Sequence, residues 1–207
     1  MRDEKCKLNN STKNTWQTPK WLFRWLEQRF YWFHIDGCSS GNNALRSYWI
    51  GPATEGLDDD TLSGQIAEDF LSDDLFDRLL DMVAEQGELL RIFVNPPYSE
   101  PLPFVKRAVE LKQAGHLVVM LLPADKSTEW YEVIRDNANE VIDIIGYRDE
   151  KGKFHSGRIH FVNPITGEEV KGNNKGSMVA VFDPTMQDFV TRTVGLDFVK
   201  KVGEYAA

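Results

Sequence analysis

Residues 89–124 read LLRIFVNPPYSEPLPFVKRAVELKQAGHLVVMLLPA and contain the pattern that decides the fold. Leu89–Val94 is an apolar run typical of a buried strand, and Leu117–Leu122 is a second one. Between them, Pro103 opens a segment with apolar residues at helical spacing, and Gly115 ends it. A strand, a helix and a strand at this spacing predict two parallel strands joined by a right-handed crossover.

The alternation of helices and strands continues on both sides of this unit. The spacing predicts helices over about 19–30, over 72–87 and from Ser127 or Thr128 onward, and strands over 32–36, 141–145, 158–162 and 178–182. We therefore expect an α/β fold with a doubly wound, mostly parallel sheet and helices on both faces. The last two strands, 158–162 and 178–182, predict an antiparallel hairpin on one edge of that sheet.

Length and composition indicate a soluble single domain. The chain has 207 residues, and we divide it into a disordered tail over 1–14, a domain over 15–185 and a C-terminal extension over 186–207 packed on that domain. The tail is too polar for a signal peptide, and no apolar run approaches the roughly 20 residues that cross a bilayer, so we expect a cytoplasmic protein. Two cysteines rule out a disulfide framework and make structural zinc implausible, so no metal is expected.

Net charge bears on the choice of partner. With 24 basic and 32 acidic residues the chain carries −8 charges, which argues against indiscriminate binding to DNA. It leaves room for a local basic patch. The most basic short stretch runs from Lys151 to His160.

The loops that follow the predicted parallel strands mark a candidate site. In such sheets ligands bind beyond the carboxyl ends of the strands. This rule places 36–41, 95–99 and 123–126 along one rim.

Asn95-Pro96-Pro97-Tyr98 is the most informative of these loops. A conjugated amine is a poor nucleophile because its lone pair is delocalised into the attached π-system. A site that accepts both N–H protons frees that lone pair, and the Asn95 side-chain carbonyl and the Pro96 backbone carbonyl are suitable acceptors. The two prolines stiffen the loop, and Tyr98 offers a flat face for stacking a planar substrate.

The tetrapeptide is the catalytic motif of amino-methyltransferases, and the chain resembles the phage and prophage DNA N6-adenine methyltransferase (Dam) family. The resemblance covers about residues 15–185. It is carried by Trp16-Gln17-Thr18-Pro19, Ile35-Asp36-Gly37-Cys38-Ser39, Asn43-Ala44, Tyr48-Trp49, Asp60-Thr61-Leu62, Asn95-Pro96-Pro97-Tyr98-Ser99, Leu121-Leu122-Pro123-Ala124, Trp130, Gly157-Arg158-Ile159-His160-Phe161, Gly176-Ser177 and Phe182-Asp183-Pro184. Two departures stand out, because the loop after Asp36 is not Gly-rich and an extra helix occupies 64–88.

The resemblance implies a class I methyltransferase fold and the transfer of a methyl group from S-adenosylmethionine to adenine N6 in DNA. The target base would be flipped out of the duplex and held by Tyr98. Three groups of residues would form the site. The catalytic group is Asn95, Pro96, Pro97 and Tyr98; the cofactor group is Thr18, Pro19, Asp36, Gly37, Cys38 and Asp60; the DNA-binding group is Ser99, Asp125, Lys126, Arg158 and His160.

The residues themselves leave other interpretations open. Thr18-Pro19 also suits a helix start, Asp36 also suits a turn cap, and Asp60 lies in an acidic run typical of solvated loops. The segments around Asp125-Lys126 and Arg158 equally suit an exposed turn and an exposed hairpin.

Other functions also fit the motif. The same chemistry can act on cytosine N4, on adenine in RNA or on a protein glutamine, and the fold can serve a non-catalytic adaptor. The recognition sequence and the oligomeric state do not follow from the residues.

Overall fold

The computed structural model describes residues 16–163, 166–170 and 174–205, and the tail predicted over 1–14 lies outside these ranges. The helices are α1 (Lys20–Phe30), α2 (Asp59–Ser63), α3 (Leu75–Gln86), α4 (Leu102–Gln113), α5 (Glu129–Asn137) and α6 (Leu196–Tyr205). The strands are β1 (Ile35–Asp36), β2 (Tyr48–Ile50), β3 (Gln65–Ala67), β4 (Arg91–Val94), β5 (Leu117–Pro123), β6 (Glu140–Ile145), β7 (Tyr147–Arg148), β8 (Phe154–His155), β9 (Ser177–Phe182) and β10 (Val190–Gly195).

Eight strands form one sheet in the order β10-β6-β9-β5-β4-β1-β2-β3. Every neighbouring pair is parallel except the two that include β9, which runs antiparallel to both β5 and β6. The predicted mostly parallel sheet is therefore confirmed. The β4–α4–β5 unit is present as expected, with Val94 opposite Met120.

Two hydrophobic cores cover the two faces of the sheet. Residues of α3, α4 and α5 pack on one face, and residues of α1 and α6 pack on the other. Along β4 the side chains alternate, so that Ile92 and Val94 enter the first core and Phe93 enters the second. Because both faces are covered, β5 and the part of β4 beyond Arg91 need apolar residues on both sides, which explains the apolar runs Ile92–Val94 and Leu117–Leu122.

The antiparallel elements differ in position from the prediction. Residues 178–182 form a strand as expected, but β9 lies inside the sheet, and all six of its residues are buried. A strand so apolar on both faces gains more between two neighbours than at an edge. Residues 158–162 form no strand of this sheet, and Val162 makes only isolated bridges to Gln17 and Glu169. An antiparallel hairpin is present, but β7 and β8 form it, separately from the sheet.

Helix starts also differ from the expected caps. Helix α1 has Pro19 as its N-cap residue with no side-chain capping bond, so Thr18 does not cap it. Helix α3 begins at Leu75, three residues after the predicted start at 72, and the hydroxyl of Ser72 donates to the Asp69 carbonyl. Gly87 ends α3 in a left-handed conformation, as the sequence predicts.

Short elements were missed in two segments. Residues 42–64, where no helix or strand was predicted, contain β2 and α2, and β3 follows directly. Near the C-terminus β10 pairs with β6, and α6 packs against α1. The boundary proposed at residue 185 stays a prediction.

Candidate active site

The carboxyl ends of β1, β4 and β5 meet at one rim and border a cavity of about 730 Å³. This volume is in the usual range for cofactor and substrate pockets. The cavity is lined by Trp16, Gln17, Thr18, Asp36, Gly37, Cys38, Ser39, Ser40, Asn43, Leu45, Ile50, Gly51, Pro52, Glu68, Asp69, Phe70, Asn95, Pro96, Pro97, Tyr98, Phe104, Pro123, Phe161, Asn174 and Lys175.

Asn95 follows the last residue of β4 and stands at the wall of this cavity. Its side-chain Nδ2 donates a hydrogen bond to Thr18 Oγ1 at 3.0 Å. Its Oδ1 is buried and has no hydrogen-bond partner among the described residues. An unpaired buried acceptor costs about 1–3 kcal/mol, and a ligand N–H would remove that cost.

Tyr98 lies four residues beyond the strand and packs against a second aromatic ring. Its ring meets Phe161 edge to face, with the ring centroids 5.8 Å apart. Its hydroxyl is buried without a partner in the described part of the chain, and burial raises the pKa of the phenol well above its ordinary value. Tyr98 is therefore neutral at any physiological pH and can contribute a flat face and one O–H donor.

Asp36 ends β1 and is the buried acid of the site, with 3% of its surface exposed. Burial raises the pKa of its carboxyl to about 6, although a 3.0 Å hydrogen bond from the Leu45 amide to Oδ2 opposes that shift. A buried carboxylate without a positive partner is costly. A cationic group of a ligand beside Asp36 would supply that partner.

The loop after Asp36 is held by close backbone contacts. Gly37 donates to the Phe93 carbonyl at 2.7 Å, and a Cβ at position 37 would lie 3.0 Å from that same oxygen. Ser39 donates to the Ile50 carbonyl at 3.0 Å. Tight packing against β2 and β4 therefore holds this loop at the cavity wall, although the loop contains no run of glycines. Burial raises the pKa of the Cys38 thiol, which keeps it protonated.

Sequence reasoning missed several residues of the cavity wall. Glu68 and Asp69 follow β3 and place two carboxyl groups on the wall, beside Phe70. Because β3 is only three residues long, no pattern marked these acids as a strand end. Phe161 was part of the family pattern but received no role.

The structure brings some of the predicted site residues together and leaves others apart. The cavity includes all four residues of the catalytic group, and Thr18, Asp36, Gly37 and Cys38 of the cofactor group. It does not include Pro19, Asp60, Ser99, Asp125, Lys126, Arg158 or His160. Asp60 lies on α2 beside a separate surface depression.

Several polar residues of the predicted DNA-binding group form ion pairs outside the cavity wall. Lys175 Nζ, on the wall, contacts Asp125 at 2.6 Å, and this hydrogen bond lowers the pKa of Asp125 to about 2. Lys126 pairs with Asp143 at 2.7 Å, and His160 with Glu169 at 3.1 Å. Arg158 is exposed to solvent.

Two negative findings concern the described ranges only. They contain no group of three or more His, Cys, Asp or Glu side chains arranged to hold a metal ion. None of their helices combines the length and the apolar character that a membrane span requires.

A mostly parallel sheet that presents an Asn-Pro-Pro-Tyr loop to a cavity at its carboxyl rim is typical of amino-methyltransferases. Comparison with known proteins gives the family. The chain belongs to the DNA N-6-adenine-methyltransferase (Dam) family, whose model matches residues 5–68 and 80–204. The unmatched residues 69–79 lie within the stretch 64–88, where the sequence departs from the family pattern.

Two curated phage proteins are similar over most of their length. The DNA N-6-adenine-methyltransferase of Haemophilus phage HP1 (strain HP1c1) is 33% identical over 182 residues, which is 87% of this chain and 84% of the relative. The DNA N-6-adenine-methyltransferase of Escherichia phage T1 is 29% identical over 188 residues, which is 89% of this chain and 68% of the relative. The family resemblance inferred from the sequence is thereby confirmed.

Proposed function

We propose that this protein transfers a methyl group from S-adenosylmethionine to N6 of adenine in DNA, with Asn95 and Pro96 accepting the two N–H protons of the target amine. The observation that carries the proposal is the buried Oδ1 of Asn95 at the wall of the cavity, which has no hydrogen-bond partner within the described part of the chain. Family membership and the names of the two phage relatives support adenine N6 as the target. None of these observations favours another nitrogen or a non-catalytic adaptor.

The residues of the cavity fit this cofactor. Asp36 would meet its ammonium group, because that buried carboxyl has no positive partner among the residues that the structure describes. Glu68 or Asp69 would bind the ribose hydroxyls or the adenine amine of the cofactor, a role that Asp60 is less suited to fill from outside the cavity. Phe70 and Ile50 offer apolar contacts to the adenine ring. When bound, S-adenosylmethionine supplies a methyl group activated by its sulfonium.

The chain itself would prepare the target amine for attack. Hydrogen bonds from the two N6 protons to Asn95 Oδ1 and to the Pro96 carbonyl favour a tetrahedral nitrogen, which directs its lone pair away from the ring. Pro96 and Pro97 keep these acceptors in place, since both have a fixed φ. The new C–N bond would form as the methyl–sulfur bond breaks, which leaves S-adenosylhomocysteine, and N6 would give up one proton. Asn95 Oδ1 would accept a hydrogen bond from that proton until it passes to solvent, because an amide oxygen is too weakly basic to keep it.

The target base would reach the cavity by leaving the duplex. Tyr98 would stack on it, and Phe161 would hold Tyr98 from the side. For contacts with the DNA backbone, Arg158 is the most suitable member of the predicted group because it is exposed on the segment that leads to Phe161. The bound strand would be bordered by Lys126, His160, Asp125 and Ser99.

The first test replaces the proposed acceptor. We expect Asn95→Ala to lower the rate of labelled-methyl transfer to DNA by roughly 10²- to 10³-fold, because the variant lacks a preorganised hydrogen-bond acceptor in the transition state. Asn42→Ala is the matched control. Its Nδ2 also donates to a threonine, Thr54 at 2.7 Å, but the pair is exposed and outside the cavity.

Unchanged thermal unfolding of Asn95→Ala would show that the loss of rate is chemical, and a retained rate would overturn the proposed mechanism. Digestion of the product DNA identifies the modified base. N4-methylcytosine in place of N6-methyladenine would contradict the proposed target. Failure of the wild type to bind S-adenosylmethionine in calorimetry would instead indicate a non-catalytic adaptor.

A further inference from the structure

The segment just before α1 forms one side of the catalytic cavity. Gln17 and Val162 exchange two backbone hydrogen bonds, of 2.9 and 3.0 Å, which attach this segment to the one that carries Phe161. The rings of Trp16 and Phe161 lie with their centroids 6.4 Å apart. We call residues 16–18 the N-terminal strap. Thr18, at its end, is 7% exposed and is therefore fixed in position beside the cavity.

The hydroxyl of Thr18 is engaged with the catalytic loop. It does not cap α1, and instead Oγ1 accepts the 3.0 Å hydrogen bond from Asn95 Nδ2. A primary amide presents a donor on one side and an acceptor on the other. The acceptor, Oδ1, has no partner in the described ranges, as required for a group that receives an N–H from a substrate.

We propose that Thr18 is a positioning residue for Asn95, in addition to any contact it makes with the cofactor. Thr18 gives the amide N–H an acceptor and so keeps Oδ1, rather than Nδ2, available to the target amine. This inference rests on the proposed role of Asn95 as an acceptor.

Removal of the Thr18 hydroxyl would leave a buried amide N–H without a partner. Half a turn about the last side-chain bond of Asn95 would then place Oδ1 beside the valine and Nδ2 toward the cavity at a similar cost, so the amide would lose its preference for the orientation that presents Oδ1. In the turned orientation Nδ2 would face the target amine, and two donors would oppose each other. The adenine would still enter the cavity, but its lone pair would not be freed, so the maximal rate would fall while binding changed little.

The test compares Thr18→Val with Thr18→Ser. Valine matches the shape of threonine without the hydroxyl, and we expect kcat for methyl transfer to fall roughly 5- to 30-fold, the effect of removing one buried hydrogen bond. The dissociation constant of S-adenosylmethionine should change less than about threefold. Thr18→Ser should restore most of the rate. Thr54→Val is the matched control, because it removes the same type of Asn–Thr bond at an exposed position.

A second variant separates positioning from a general structural role. A carboxylate has acceptors on both sides, so Asn95→Asp removes the difference between the two orientations. We expect Thr18→Val to cost the Asn95→Asp enzyme less than about threefold in kcat, so that the two substitutions are strongly non-additive. A merely structural threonine would cost the same in both backgrounds.

The inference and the proposed function fail in different ways. A wild type that transfers no methyl group to DNA would contradict the function. An active wild type with an unchanged kcat in Thr18→Val would contradict the inference, as would a loss confined to the affinity for S-adenosylmethionine, or equal losses in the wild-type and Asn95→Asp backgrounds. Thermal unfolding of each variant shows that it is folded before its rate is compared.

Discussion

Asp36 combines nearly complete burial with an ionisable group that has no positive partner in the described site. The resulting pKa of about 6 lies well above the ordinary value of 3.8 for an aspartate. Such a carboxyl is neutral at low pH and becomes a strong attractor of cations when it ionises. If it binds the ammonium group of the cofactor, binding must depend on its ionisation.

We therefore expect the affinity for the cofactor to be highest near neutral pH and to fall as the pH drops through about 6. Binding weakens at low pH because only the ionised carboxylate attracts the ammonium group, and protonation removes its charge. The raised pKa of Asp36 sets the pH at which this loss begins. Calorimetry with S-adenosylhomocysteine, which retains the ammonium, measures this between about pH 5 and pH 8. Asp36→Asn should bind weakly and without this dependence. A wild-type affinity independent of pH would contradict the role.

At the scale of the elements, the end of β2 and the loop 36–40 are in close contact at Gly51 and Ser39. A Cβ at Gly51 would lie 1.8 Å from the Ser39 carbonyl oxygen, and Gly51 has a φ of 149°. The end of β2 therefore presses directly on the loop that follows β1. Any side chain there must displace the loop from the cavity wall.

We expect Gly51→Ala to weaken cofactor binding at least about tenfold and to lower the melting temperature, because it adds both a clash and backbone strain. Gly56→Ala is the control, since Gly56 also has a positive φ, 82°, but no atom within 4 Å of the added Cβ. It should cost about 1 kcal/mol in unfolding free energy and leave cofactor affinity unchanged. Equal affinities in the two variants would show that this close approach does not shape the site.

The elements also show what the sequence could reveal. Long apolar runs and helical spacing predicted β4, α4 and β5, because these features are local. The Asn-Pro-Pro-Tyr loop was also recognised from the sequence, because its residue types indicate amine chemistry, and the structure places it at the cavity. Its catalytic role stays a prediction. β2 and β3 are too short for a periodic signal, so Glu68 and Asp69 were missed. The hydrogen bond of Asn95 with Thr18 joins residues 77 positions apart, so no local sequence pattern could predict it.

For the whole molecule, the distribution of charge matters more than its sum. A protein with eight net negative charges meets DNA with long-range repulsion, which salt screens beyond about 8 Å. Binding must then rely on a few cations near the cavity. Arg158 is exposed on the segment that leads to Phe161, whereas Lys126 and Lys175 contact carboxylates.

We expect Arg158→Ala to weaken DNA binding and to make its dependence on salt shallower, by about 0.9 in the slope of log K against log salt concentration for each phosphate that Arg158 neutralises. Titrations of labelled duplex at several salt concentrations measure this. Arg135→Ala is the control, because Arg135 is exposed on α5 and pairs with Asp136 at 2.8 Å. A slope unchanged from the wild type would exclude a phosphate contact at Arg158.

The N-terminal strap affects how relatives of this protein should be delimited. A domain boundary is commonly drawn where the first helix begins, which here is Lys20. Such a cut would discard Thr18, which accepts the hydrogen bond from the Asn95 amide, together with the two backbone bonds between Gln17 and Val162. Alignments and expression plasmids for this protein should therefore start upstream of Trp16, since part of the proposed reaction centre precedes the first regular element.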